Sequence, residues 1–109
     1  MVAKQDDEKI ARALASRLVA AFHPVRIVWF GSRAAGRGRP ESDWDLLVVA
    51  ESDLPQVTRM YHGQLATMDI EVGKDILVFT PAEHARLMTW KSSVVYDAER
   101  TGRVLYEAA

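Results

Sequence analysis

The stretch WFGSRAAGRGRPESDWDLLVV, residues 29–49, sets a glycine and a serine directly after one apolar run and two aspartates at the edge of a second. Aspartate is depleted in strands, so its presence there needs a chemical reason. Asp43 and Asp45 are two positions apart. If both lie on the strand that continues through Leu46-Leu47-Val48-Val49, they project from one face with Cα atoms roughly 6.6 Å apart at strand rise. Two carboxylates so placed can converge on one or two cations, and the ions of two-metal phosphoryl-transfer sites lie about 3.5–4 Å apart. Without a cation their repulsion raises one pKa and costs stability. The bland alternative is a Ser42-Asp43 turn followed by a solvated strand start. Gly31 lets backbone approach a ligand, and a short helix beginning at Ser32 would offer N–H groups and a hydroxyl to phosphate oxygens. A Gly-Ser pair after a strand is, on its own, simply a turn.

The elements around this stretch alternate. Ile10, Leu14, Leu18 and Phe22 recur every fourth residue, which predicts a helix over Lys4–Phe22 that Pro24 stops, with early acidic residues suiting its positive end. Val25–Phe30 and Trp44–Ala50 are short, branched runs of buried-strand type. Leu54, Val57, Tyr61, Leu65 and Met68 predict an amphipathic helix over Asp53–Met68, with Asp53 as its cap. Met60, Tyr61, Met68, Met88 and Trp90 stand at helical spacings and read as core. Asp75–Phe79 is a third strand. Thr80-Pro81-Ala82-Glu83 has the form of a capping box with proline at the first helical position, opening a helix through about Trp90. A short helix near Ser93–Arg100, Gly102 as its stop and an edge strand at Arg103–Tyr106 complete an order that predicts a small sheet covered by helices.

A third carboxylate strengthens the functional reading. Asp75-Ile76-Leu77-Val78-Phe79 echoes Asp45-Leu46-Leu47-Val48-Val49, so pairing of these strands would set Asp75 beside Asp45. Three oxygen donors suit magnesium better than zinc. Asp69 and Glu71 are rival ligands, but they precede Gly73 and belong to the connection. Lys74 adjoins Asp75, and strand alternation turns it to the opposite side.

Composition narrows the function classes. The chain has 109 residues, 49% apolar and 27% charged, as in an ordinary globular protein with one core and one site. A net charge of −1 lacks the basic footprint of stable nucleic-acid binding, although Arg33, Arg37 and Arg39 cluster into a local anion site. No cysteine is present, and His23, His62 and His84 are not spaced for a helical metal pair. With no membrane-length apolar run and a charged start, the expected location is cytoplasmic.

Gly31-Ser32, ten intervening residues and Asp43-Trp44-Asp45 form the pattern G-S-x10-D-x-D, and the chain resembles a minimal nucleotidyltransferase of the DNA polymerase β superfamily. GSRAAGRGRPESDWDLLVV carries most of the likeness, and KDILVFTPAEH resembles the segment bearing the third acid. The resemblance covers about Ile27 to Ala85, with a fainter echo in SSVVYDAERTGRVLYE. It implies an α/β (α+β) nucleotidyltransferase fold, a small mixed sheet flanked by helices, as a single domain over residues 1–109. It implies that Gly31 and Ser32 hold the triphosphate of ATP or another NTP, and that Asp43 and Asp45 bind two Mg²⁺ ions. Asp75 would complete the site and take the acceptor proton. Arg33 would add charge for the phosphates or serve as a solvated loop arginine. A hydroxyl would attack the α-phosphorus, release pyrophosphate and retain a nucleotide, commonly AMP. Minimal members of this type commonly work with a HEPN-domain protein, often as antitoxin to a HEPN ribonuclease toxin, and some attach AMP to a tyrosine of that partner.

Two other roles stand beside this one: an antitoxin or subunit that neutralises its partner by contact alone, and transfer to a small-molecule hydroxyl in a homodimer cleft. A P-loop is excluded because Arg37-Gly38 stands where lysine and a hydroxyl residue belong, and Glu41 replaces the last glycine of a dinucleotide fingerprint. A Ser-His-Asp hydrolase fails because nothing places a histidine near Ser32.

Overall fold

The computed structural model describes residues 2–39 and 41–109, with side chains from residue 6 onward. The first helix, α1 (Val2–Phe22), ends as His23 takes a left-handed backbone conformation, φ 48°, immediately before Pro24. The elements β1 (Arg26–Phe30), a one-turn α2 (Gly31–Ala34), β2 (Trp44–Val49), α3 (Gln56–Ala66), β3 (Lys74–Phe79), α4 (Pro81–Leu87), α5 (Val94–Thr101) and β4 (Arg103–Glu107) follow. The early acids of α1 fall beyond its first turn, so their expected service to the helix dipole is not what they do. Asp7 and Glu8 reach arginines instead, as described below.

The four strands form one mixed sheet in the order β3-β2-β1-β4. β1 is antiparallel to both β2 and β4, whereas β2 and β3 run parallel, joined by α3 as their crossover. Central strands covered on both faces must be apolar at every position, and Ile27 to Phe30 and Leu46 to Val49 are all buried. One face packs Ile27, Trp29, Trp44, Leu46, Val48, Ile76 and Val78 against Ala11, Leu14 and Leu18 of α1. The other packs Val28, Phe30, Leu47 and Phe79 against Val95 and Ala98 of α5.

Local capping follows the sequence. The Thr80 hydroxyl accepts from the Glu83 N–H while the Glu83 carboxylate accepts from the Thr80 N–H, completing the capping box with Pro81 in the first turn. Ser93 caps α5 by accepting from the Tyr96 N–H. α4 nevertheless stops at Leu87, short of Trp90, which is exposed together with Tyr61 and Met68. The placement of those three side chains in the core is therefore corrected.

The largest correction concerns α3. Asp53 is not its cap: the helix starts at Gln56 after Pro55, with no side-chain cap. Its apolar side chains Val57, Tyr61 and Leu65 face solvent, as do Leu54 before it and Met68 after it, and what it buries is Arg59 and Gly63, with Thr67 at its C-cap. Two requirements outweigh the stripe. Gly63 rests against Ile76, so the helix approaches β3 too closely for a large side chain there. Arg59, only 6% exposed, donates to the carbonyls of Leu54 and Val78 and to both oxygens of Glu83, closing the gap between α3, β3 and α4.

Removing one partner of such a pair strands the other, at a cost of about 3 kcal/mol. Arg59→Ala is expected to lose roughly that much in urea unfolding at neutral pH. The Arg59 hydrogen bond, with help from the Thr80 N–H, holds the Glu83 carboxyl below the ordinary glutamate range. A depressed carboxyl contributes stability that is present above its unfolded pKa and lost as pH falls through the folded value. The variant's deficit should therefore shrink below about pH 4.3. An equal deficit at both pH values would refute the pairing as its source.

Candidate active site

Alternation along β2 separates two jobs. Asp43, just before the strand, and Asp45 turn toward one face of the sheet, while Trp44 between them is fully buried on the other. The parallel register pairs Asp45 with Asp75 directly, so two acids far apart in sequence stand side by side. In the antiparallel direction Asp45 pairs with Phe30, the last residue of β1. The turn that follows Phe30 thus sits against the same carboxylate.

Gly31 has φ +87°, and a Cβ on it would overlap Asp45 Oδ2. Only glycine meets both conditions. Gly73, whose carbonyl accepts the Trp44 N–H at 2.8 Å, leaves room for the Asp43 carboxylate, which a Cβ there would push aside. Ser32 follows Gly31 in α2 and is exposed.

The side chains of the three aspartates have no hydrogen bond or ion pair among the described residues, in contrast to the other acids that approach an arginine. Burial pushes the Asp45 carboxyl above the ordinary aspartate range, and the charges of Asp75 and then Asp43 push it further. Among the described residues no three acidic or histidine side chains converge tightly enough to close a metal shell by themselves. What the site offers is hard oxygen donors and excess negative charge, the chemistry that a divalent magnesium ion fits. The rival ligands lie elsewhere: Asp69 is bound to Arg17 at 2.7 Å, and Glu71 is exposed in the connection before Gly73. Lys74 turns away from Asp75, its Nζ donating to the carbonyls of Ile70 and Val72.

Arg33 is neither solvated nor free to serve a ligand with its whole guanidinium. Its side chain is 14% exposed; Nη1 donates to the carbonyls of Arg39 and Ser42, and Nη2 meets Asp7 at 3.0 Å. It therefore anchors the loop between α2 and β2. Its guanidinium also lies 5.4 Å from the centroid of the Trp44 ring, Trp44 stacks on Trp29 at 4.2 Å, and Arg103 covers Trp29 at 5.5 Å. Asp7 and Glu8 of α1 grip the two arginines at the ends of this pile. Both indole N–H groups are buried without a hydrogen-bond partner among the described residues, at a cost of about 1–3 kcal/mol each. The Trp pile and Asp7 hold the acid-bearing strand from behind, and sequence spacing gave no sign of them beyond Trp29 and Trp44 flanking the motif.

The nucleotidyltransferase domain family matches residues 8–104. No curated protein matches the chain. Among solved structures, a Sulfolobus solfataricus protein described as a nucleotidyltransferase is 27% identical with a TM-score of 0.56, over 72% of this chain and 70% of that one. A toxin-antitoxin crystal structure with AMP-PNP reaches a TM-score of 0.63 at 18% identity, over 90% of this chain and 73% of that one, a likeness of fold. With the family match running from α1 into β4 across the paired acids, the chain belongs to the nucleotidyltransferase domain family and has the fold of a minimal nucleotidyltransferase.

Proposed function

We propose that the chain is a magnesium-dependent nucleotidyltransferase that moves AMP from ATP to a hydroxyl of a partner protein, acting as antitoxin to a HEPN-domain toxin. The observation that carries the enzymatic part is the register pairing of Asp45 with Asp75, with Asp43 two residues upstream and the Gly31 turn against Asp45. Phosphoryl transfer is mostly positioning and charge stabilisation, so this small set suffices. The AMP-PNP in the related toxin-antitoxin structure supports both the nucleotide and the partnership.

In this reading Asp43, Asp45 and Asp75 would hold two Mg²⁺ ions, which when bound neutralise the clustered charge and polarise the phosphate oxygens. Gly31 and Ser32 would receive the triphosphate, with backbone N–H groups and the Ser32 hydroxyl facing its oxygens. Arg33 holds the loop that carries Asp43 rather than contacting phosphate. The acceptor oxygen would bond to the α-phosphorus as its proton passes to an Asp75 carboxylate oxygen. The bond to the bridging oxygen would break, and pyrophosphate would leave with that electron pair.

The test is label transfer from α-labelled ATP with magnesium and the product of the adjacent gene. Wild type should label that protein, and Asp43→Asn or Asp45→Asn should lower the rate by about 10²–10³-fold, the scale of removing preorganised charge stabilisation. Absence of label, with Asp45→Asn still protecting cells from the partner, would replace catalysis by neutralisation through contact alone.

The Gly31 turn yields a separate expectation. Gly31→Ala should lose about 1–3 kcal/mol through its left-handed backbone and its overlap with Asp45. In the double variant with Asp45→Ala, about 1 kcal/mol or more of that loss should return. Strict additivity in thermal unfolding would show that the two residues do not touch.

A further inference from the structure

α3 and the residues that flank it leave a row of apolar side chains exposed. Leu54, Val57, Tyr61, Leu65 and Met68 are 43, 79, 61, 42 and 65% exposed. The helix meets the core with its other face, so the stripe does nothing for the fold of a lone chain. Together the five side chains present on the order of 500 Å² of surface, at the upper end of the largest patch on an ordinary monomer.

We propose that the chain forms a two-fold dimer in which α3 packs antiparallel against α3 of a second copy. Three observations select a second copy as the occupant. The first is the spacing. Counted from Tyr61, the stripe falls at −7, −4, 0, +4 and +7. Within α3 a two-fold axis through Tyr61 sets Val57 against Leu65 of the second copy and Tyr61 against its Tyr61, while Leu54 and Met68, just outside the helix, extend the patch at its two ends. A self-complementary patch is what an isologous interface requires.

The second is area. A standard interface takes about 800 Å² from each partner, and homodimer interfaces are about 65% apolar, which is close to the share the stripe would supply. Thr58, His62 and the Arg17–Asp69 pair would form a polar rim. The third is charge. Antiparallel packing brings Glu51 and Asp53, just ahead of one α3, toward the pair that Arg17 of α1 makes with Asp69 beyond the end of the other. Arg17 meets Asp69 at 2.7 Å with its side chain still 45% exposed, leaving room for a second carboxylate. The two helix dipoles are also opposed.

The geometry keeps the acid sites open. α3 lies against Ile76, on the sheet face opposite Asp75, so the dimer leaves both acid clusters facing outward.

The proposal is tested without any activity measurement. Sedimentation equilibrium of the full chain at micromolar concentrations should show a dimer. Val57→Asp with Leu65→Asp should give a monomer with an unchanged circular dichroism spectrum, weakening association by at least about a hundredfold because each carboxylate would be buried without a partner. The chain has no cysteine, so a disulfide can join only introduced thiols. Tyr61→Cys should cross-link to itself on mild oxidation much faster than Trp90→Cys, an exposed control outside α3. Mixed Val57→Cys and Leu65→Cys chains should give a heterodimer in preference to either homodimer. A wild-type monomer over the whole concentration range, or Tyr61→Cys cross-linking no faster than the control, would overturn the proposal. So would a monomer whose α3 is protected only by a co-expressed partner, which would assign the stripe to that partner instead.

Discussion

The structure depends on bringing like charges together with no cationic side chain among the described residues paired to them. Parallel pairing of β2 with β3 sets Asp45 against Asp75, and Asp43 precedes them by two residues along the chain. Every nearby feature accommodates that cluster. Gly31 and Gly73 omit the side chains that would displace its carboxylates. On the opposite face, Trp44 takes the alternate position and is locked between Trp29 and Arg33. The repulsion on one side of β2 is thus held in place by dense packing on the other, and the aspartates cannot relax by rotating the strand.

That division explains which parts of the fold could be read from residues alone. β1 and β2 are covered on both faces, so their signal is an unbroken apolar run, and Ile27–Phe30 and Leu46–Val49 carry it plainly. Thr80, Pro81 and Glu83 form a local hydrogen-bond device whose geometry is set within four residues, and it forms as read. The side-by-side acids were also legible, because a repeated acid-plus-apolar run implies register once two strands pair. Contacts between distant segments were not. Asp7 with Arg33, Glu8 with Arg103 and Arg59 with Glu83 join residues whose spacing contains no period.

α3 shows why hydrophobic periodicity can give a helix correctly and its orientation wrongly. Periodicity finds the apolar face, and burial of that face is the usual consequence. Here the inner contact is set by carbonyls and a carboxylate that need a donor, supplied by Arg59, and by the absence of a side chain at Gly63. A buried arginine with its hydrogen bonds satisfied is stable in position, whereas stranding it and its partners is costly. The apolar face is then left outward by default, and its near-symmetry about Tyr61 is what the proposed dimer rests on.

Two half-buried carboxylates at opposite ends of β1 are driven apart by the same physics. Glu99 lies near Arg26, where the strand begins. Burial raises its carboxyl, but hydrogen bonds from Arg26 and His84 outweigh burial and leave it below the ordinary glutamate range. Arg26 also reaches Glu107, so the network ties β1, α4, α5 and β4 together. Asp45 lies beside Phe30, where the strand ends, and its burial is reinforced by two further carboxylates instead of being offset. Opposite shifts from similar burial mean that the difference is in the partners. The fold supplies a cationic partner to Glu99 and, among the described residues, none to Asp45, so the charge at Asp45 is left to be offset from outside the chain, as the proposed function requires.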